Sequence, residues 1–432
     1  MGLRNKKSLF YTISTNISRV LLALVLVLSG FVKAVDPKGT MYKLQEYSEA
    51  FSIDIFSSDW LLFFAIALSV VEFLVGVFLL MGVYRRFVAT VALFVFVLFT
   101  PFTLYMAVAN PIADCGCFGD AFELPNNISF MKNLVLFILA LIVFLGRRRF
   151  VCNISVKNRW MVVLFAIFYI AFIETMALTY VPVLDFRNYA VGNNLRELVQ
   201  GENDTYKAVL TYEKDGVRRD FAQDSIPDET WSFVESRSEL VAEGHKAVIS
   251  NFSILDWDND RDVAEDVLAD TGFVCVVVSE MLESASAGRV DKINDLYDYF
   301  LDNGLMFCAV TSSNEDEILL WRKRTGAEYP IYWAEDVLLR DITRANPGVI
   351  VLKDGVVVGK WNAANMPEVE RMLSLGEVSS RAKAEVYGMP GLYFWIIVFA
   401  VPLVVISLID LLTGRKRKEK TVDKVKDITN NI

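Results

Sequence analysis

The chain has 432 residues, 54% of them hydrophobic, and a formal net charge of −9. That length allows two or three domains, and the acidic balance argues against nucleic acid as a partner, since phosphate binding needs a basic surface. Five cysteines do not make a disulfide scaffold in so long a chain, and one histidine, His245, leaves little for histidine-based metal sites or general-base chemistry.

The apolar residues are clustered, which points to membrane spans. A membrane helix needs about 20 mostly apolar residues, and six such runs occur, at 17–35, 60–83, 87–109, 130–145, 160–181 and 392–412. The fourth is short and is expected to begin near Ile128. The first has the basic start and apolar core of a signal peptide, but "FVKAVDPKG" follows without a clean small-x-small cleavage site, so it reads as a retained span. Within it Arg19 is a possible partner for a buried carboxylate. Lys33, near its outer end, reads as a packing residue that snorkels to the interface.

Residues 40–56 follow. Leu44, Tyr47, Ala50 and Phe51 recur at helical spacing, opposite Lys43, Gln45, Glu46 and Glu49. A helix lying on the membrane surface and a helix capping the bundle both fit this pattern. The second span carries Glu72 near its middle. A carboxylate at that depth is costly and often functional; the structural alternative is a protonated group or a pair with Arg19.

Between the third and fourth spans lies "NPIADCGCFGDAFELP", residues 110–125. Cys115 and Cys117 flank one glycine, and three readings compete. As a redox dithiol, the pair needs Cα atoms about 4.4–6.8 Å apart, which bends the chain, and Gly116 permits the bend. As a metal site, the thiolates would join Asp114, Asp120 or Glu123, but no histidine or second cysteine pair is near. As a structural element, a tight bridge or two free thiols would simply close the loop.

The linker after the fourth span, "GRRRFVCNISVKNR", is basic throughout, and the fifth span carries a second intramembrane carboxylate, Glu174. Arg4, Lys6 and Lys7 before the first span, Arg85 and Arg86 after the second, this linker and the tail "GRKRKEK" make every second flank positive. Those flanks belong in the cytoplasm. Both termini are then cytoplasmic, while the Cys115/Cys117 loop and the region between spans five and six face outward, into the periplasm of a Gram-negative cell.

That outer region alternates strand and helix. "NLRELV" reads as a short helix, residues 205–222 as a hairpin around Asp215-Gly216, and residues 245–257 as a strand. "GFVCVVVSE" and "LMFCAVTSS" are buried strands that place Cys275 and Cys308 in the core as inert thiols. Each precedes a helix, over 289–304 and 314–326. Then come "YPIYWAE", the helical "DVLLRDITR", and Pro347 before a hairpin with an Asp-Gly turn, closed by a helix ending at Gly376.

Strand–helix–strand–helix followed by proline–hairpin–helix resembles the thioredoxin fold over residues 251–376. The resemblance implies a cis bond at Pro347, beside the place where thioredoxins carry Cys-x-x-Cys. Here that place falls near Glu283–Ser286, "ESAS", without a cysteine, so the domain is not expected to exchange disulfides itself.

"SRVLLALVLVLSGFVKAVDPKGTMYKLQEY", "EFLVGVFLLMGVYRR" and the "DCGCFGD" loop resemble the DoxX/MauE-like membrane proteins, in the form with a long outer domain found in Bacteroidetes DoxX-family proteins. That resemblance implies a four-helix membrane core and a link to thiol–disulfide maturation of exported proteins and quinone-linked redox assemblies. The expected organisation is a DoxX/MauE-like domain at 1–146, a basic linker with the fifth span at 147–182, and an α/β lead-in at 183–250. A thioredoxin-like domain at 251–388 and the sixth span with its basic tail at 389–432 complete it. The leading functional expectation is a thiol redox role for Cys115 and Cys117, exchanging with a periplasmic thiol protein or passing electrons to quinone. Its rivals are a non-enzymatic scaffold subunit of an envelope complex and a small-molecule or proton pathway lined by Glu72 and Glu174.

Overall fold

The structure is a computed structural model that describes residues 2–53, 56–112, 114–121, 124–150, 154–182, 184–200, 205–214, 216–222, 230–242, 247–376 and 391–430. They form two units, one within residues 1–187 and 378–432, the other within 188–377.

The first unit is helical. Its elements are α1 (Gly2–Val35), α2 (Pro37–Ala50), α3 (Ser58–Met81), α4 (Arg85–Ala109), the short strand β1 (Cys117–Asp120), α5 (Asn126–Leu145), α6 (Arg159–Thr179) and the C-terminal helix Leu392–Asn430. Six stretches are long and apolar enough to cross a membrane: Leu9–Val35, Ser58–Met81, Arg85–Ala109, Asn126–Leu145, Val156–Thr179 and Leu392–Thr413. Large side chains such as Phe87, Phe94, Leu98 and Ile138 point out of the bundle, as lipid-facing residues do where the solvent is hydrocarbon.

α1, α3, α4 and α5 share one core, with Leu22, Leu26, Leu79, Phe96 and Val143 at its centre. α6 and the C-terminal helix pack on the other side of α1 and α3, around Phe31, Phe73, Tyr169 and Leu403. Glycine sets the closest approach. A Cβ on Gly30 would lie 2.5 Å from the backbone nitrogen of Phe73, and one on Gly76 2.7 Å from that of Val27. Small residues at such crossings let helix backbones touch, and the contact fixes the register of α1 against α3. One turn beyond Gly30 stands Lys33, and beside Phe73 stands Glu72.

α2 caps the bundle. Its N-terminus is held by the Asp36 side chain, which accepts from the Gly39 amide at 2.9 Å, and Met41 packs on Leu61 and Ala65 of α3. Of the two arrangements that its sequence allowed, the structure adopts the cap.

The second unit is α/β. In chain order it contains α7 (Leu195–Gln200), β2 (Thr205–Lys214), β3 (Val217–Ala222), β4 (Ser232–Ala242), β5 (Leu255–Asp256), β6 (Arg261–Asp262), α8 (Ala264–Ala269), β7 (Phe273–Ser279), α9 (Val290–Asp302), β8 (Met306–Thr311), α10 (Glu315–Thr325), β9 (Ile331–Trp333), α11 (Asp336–Ile342), β10 (Gly348–Lys353), β11 (Val356–Asn362) and α12 (Val369–Gly376). β3-β2-β4 form one antiparallel sheet, and the other sheet runs β11-β10-β7-β8-β9-β5-β6. β7, β8 and β9 are parallel neighbours, whereas β10 is antiparallel to both β7 and β11. The Asn346–Pro347 bond is cis and immediately precedes β10. This is the thioredoxin-like arrangement.

Two details differ from the sequence reading. The strand expected over 245–257 is only Leu255–Asp256. The amides of Val248 and Ile249 instead donate to the Leu198 carbonyl at 2.9 and 3.0 Å, so this segment packs on α7 rather than joining the sheet. His245 lies outside the described residues. β4 and α8 were not expected from the sequence.

Candidate functional site

The loop between α4 and α5 folds back into the bundle. Asn110 ends α4 in the left-handed region, and Asn126 Nδ2 donates to Asn110 Oδ1 at 2.8 Å and to the Ile112 carbonyl at 2.6 Å, tying the loop ends together. Within the loop Gly116 has φ +57. A Cβ there would meet Lys43 Cγ of α2 at 2.5 Å, so glycine is required both by the turn and by the helix above it. The turn brings the Cys115 and Cys117 Sγ atoms to 3.0 Å. Both thiols are free, Cys115 buried and Cys117 half-buried.

α2 holds the loop from above. The Tyr47 hydroxyl donates to the Cys115 carbonyl, and Lys43 Nζ pairs with Asp114 Oδ1 at 2.8 Å. The other Asp114 oxygen accepts from the Gly116 amide at 3.0 Å. On the α1 side, Ser29 Oγ lies 3.0 Å from the Cys117 carbonyl and 2.7 Å from Glu72 Oε2. Lys33 Nζ donates to Ser29 Oγ at 2.8 Å and to Glu72 Oε2 at 2.6 Å.

Two expectations are therefore corrected. Glu72 pairs with Lys33, not with Arg19, whose guanidinium instead faces the Phe150 ring. Lys33 does not snorkel: its side chain is 5% exposed and enclosed with Glu72, because the Gly30–Phe73 crossing brings the two groups together.

The two thiols are inequivalent. The hydrogen bond from Cys115, assisted by the Lys132 and Lys33 ammonium groups, lowers the Cys117 thiol to about 6 against the opposing effect of burial. The same hydrogen bond, together with burial, pushes Cys115 up. Cys117 is thus the more acidic thiol of the pair and Cys115 the less acidic. Lys132 sits 4.3 Å above the Phe118 ring, next to them.

Cys115, Cys117, Lys33 and Glu72 line one cavity of about 530 Å³ in the bundle, with Lys43, Tyr47 and Lys132 at its wall. Most of the remaining lining is apolar and rich in phenylalanine, including Phe51, Phe64, Phe96, Phe99 and Phe102, with Ser29, Thr40, Ser48 and Asn133 as its other polar side chains. Such a volume and lining suit an organic ligand. Glu174 does not line it. That carboxylate accepts from Ser69 Oγ, one turn from Glu72 on α3. Glu123 lies outside the described residues, as does Cys152. Among the described residues no three His, Cys, Asp or Glu side chains converge as a metal site.

In the second unit the segment that replaces Cys-x-x-Cys lies against the cis-proline loop. Asn346 Nδ2 donates to the Met281 carbonyl and to Ser284 Oγ, both at 3.0 Å, and Ser279 Oγ donates to Asn346 Oδ1 at 2.6 Å. Cys275 and Cys308 are buried in β7 and β8, and burial pushes the Cys308 thiol up to about 12.

Of the candidates that the sequence offered, the structure brings Cys115, Cys117 and Glu72 to one cavity and leaves Glu174 outside it. Sequence reasoning missed Ser29, Lys33, Lys43, Tyr47 and Lys132 as site residues. The available signal was a lysine and a glutamate of opposite charge in two successive spans, each beside a glycine that permits close packing.

The site and the four helices around it define a small membrane bundle with a dithiol loop folded into one end. Residues 11–146 match the family Methylamine utilisation protein MauE. Residues 206–243, spanning the three-stranded sheet, match a domain of unknown function. No curated protein matches the chain. Among solved structures, the solution structure of a putative protein disulfide isomerase from Bacteroides thetaiotaomicron is similar to it, at 13% identity over 32% of this chain and 91% of that one, with a TM-score of 0.24.

Proposed function

We propose that this chain is a thiol redox protein of the bacterial inner membrane. Cys115 and Cys117 cycle between dithiol and disulfide, with quinone as the electron acceptor. The observation that carries this reading is the thiolate–thiol pair, 3.0 Å between sulfurs, opening into an apolar cavity of about 530 Å³ within a membrane bundle. In one half-cycle an exported dithiol protein reduces the Cys115–Cys117 disulfide by exchange and leaves oxidised. In the other the dithiol reduces a quinone in the cavity to hydroquinone. The basic flanks favour both termini in the cytoplasm, with the thiol end of the bundle and the thioredoxin-like unit in the periplasm. That unit, whose thiol position is filled by the Ser284–Asn346 contacts, would act in recognition, raising the local concentration of the thiol partner. This contact also favours a second reading, a scaffold subunit of an envelope complex.

The test is thiol trapping in cells. Cys115→Ser and Cys117→Ser each leave one thiol unable to resolve a mixed disulfide, so a covalent partner adduct accumulates on non-reducing gels. The double variant abolishes it. An absence of adduct in both single variants, with a wild-type pair that never changes oxidation state, overturns the redox reading and favours the scaffold.

A further inference from the structure

The Lys33–Glu72 pair is not needed to bring the thiols together, yet both side chains are buried and line the same cavity. Proton accounting gives it a task. The reduced pair is one thiolate and one thiol, so its oxidation releases two electrons but only one proton, the one on Cys115. A quinone that accepts two electrons needs two protons, one on each oxygen. The balanced step is Cys117 thiolate plus Cys115 thiol plus quinone plus one further proton, giving the disulfide and hydroquinone. The S–S bond forms, the Cys115 S–H bond breaks, and two O–H bonds form.

We propose that Lys33 supplies that second proton, acting as the general acid toward a quinone bound in the cavity. The proposal rests on the thiol–quinone reading above and adds the donor. Three observations point to Lys33. Its ammonium is enclosed, faces the cavity and is linked through Ser29 to the Cys117 carbonyl. Lys43 is committed to Asp114 and Glu46, and Lys132 lies over Phe118 beside the thiolate that it stabilises. Charge is the third. Before the step the Cys117 thiolate, the Lys33 ammonium and the Glu72 carboxylate together carry one negative charge, and Lys43 and Lys132 at the wall are unchanged by the transfer. After it, the disulfide and the neutral Lys33 amine leave only Glu72, again one negative charge. Transfer from Lys33 therefore creates no new net charge in a low-dielectric site, where an uncompensated charge is expensive.

The test uses the full-length protein, reduced and reconstituted in lipid nanodiscs, mixed with decylubiquinone. Single-turnover hydroquinone formation is followed by loss of quinone absorbance. Lys33→Arg keeps a cation for Glu72 but holds its proton too tightly to donate. It should slow the step by about 100-fold or more, the usual size of a general-acid contribution. Lys157→Arg, on the exposed linker before α6 and outside the cavity, should react at the wild-type rate. The pH profile of Cys117 alkylation, unchanged in Lys33→Arg, shows that the thiol site is intact, and Lys33→Gln serves as a second variant if it is not. Hydroquinone formation at the wild-type rate in Lys33→Arg, or in Lys33→Gln, overturns the proposal while leaving the thiol–quinone reading in place. So does a loss confined to Lys132→Arg. Failure of the wild-type protein to form any hydroquinone overturns both.

Discussion

In the proposed redox role Cys117 is the reactive thiol, and its ionisation has a measurable signature. An ordinary thiol titrates near 8.5, whereas Cys117 is held at about 6, first by the hydrogen bond from Cys115 and then by the nearby ammonium groups. Alkylation of Cys117 by iodoacetamide should rise through about pH 6 and be flat from 7 upward, because the thiolate is the reactive form. Cys115→Ala removes the largest cause and should move the midpoint upward. The sign for stability follows from linkage: the folded value is depressed, so the contribution is complete above the unfolded value and is lost as pH falls through about 6. A midpoint that stays near 8.5 in the wild type would show that the thiolate is not preformed. At the same scale, Glu72→Gln strands Lys33 in an enclosed site, and breaking such a pair costs about 3–5 kcal/mol. The double replacement Lys33→Met with Glu72→Leu should recover most of that loss in thermal unfolding, because two apolar groups need no compensation.

At the scale of elements, the α1–α3 crossing decides whether the site exists. The sequence displays Lys33 and Glu72 as isolated charges in separate apolar runs, but not their partnership, because partner choice depends on helix register. That register is set by Gly30 against Phe73 and by Gly76 against Val27. Without it Arg19 was an equally reasonable partner for Glu72. The reading of α2 shows the same limit. An apolar stripe fits a membrane surface and a protein surface alike, and only the contacts of Lys43, Tyr47 and Met41 decide for the cap. Cys-x-Cys with its central glycine was legible because two residues of chain and one glycine fix the local geometry by themselves. Gly30→Val offers the element-scale test. Its Cβ would overlap the Phe73 backbone, forcing α1 away from α3 at a cost of about 1–3 kcal/mol. Unfolding in SDS should show that loss, and the Cys117 alkylation profile should move toward an ordinary thiol as Lys33 is displaced. A variant with wild-type stability and profile would mean that the crossing does not position the pair.

At the scale of the whole molecule, the thioredoxin-like fold was legible because its signals are local: two apolar strands, capped helices such as α10 with its Asn314–Glu317 capping box, and a proline before a hairpin. What that fold does here is set by the site, not by the architecture. Where thioredoxins place two thiols, Ser284 is engaged by Asn346, and the unit's own cysteines lie inside β7 and β8 with no solvent exposure. The molecule thus carries two places suited to thiol chemistry by position, and only the one in the membrane bundle holds thiols. A full-length Cys115→Ser/Cys117→Ser variant tests this division of labour directly. It retains Cys152, Cys275 and Cys308, none of them in a closely spaced pair in the sequence, so it should show no dithiol-driven reduction of insulin, while wild-type protein supplied with dithiothreitol should show some. Thiol labelling should agree: a small alkylating reagent should modify Cys117 in the native wild type but reach Cys275 and Cys308 only after unfolding, since burial raises both thiols and shields them. Insulin reduction by the double variant, lost on Cys275→Ser or Cys308→Ser, would return the redox function to the thioredoxin-like unit and leave the membrane thiols with a structural role.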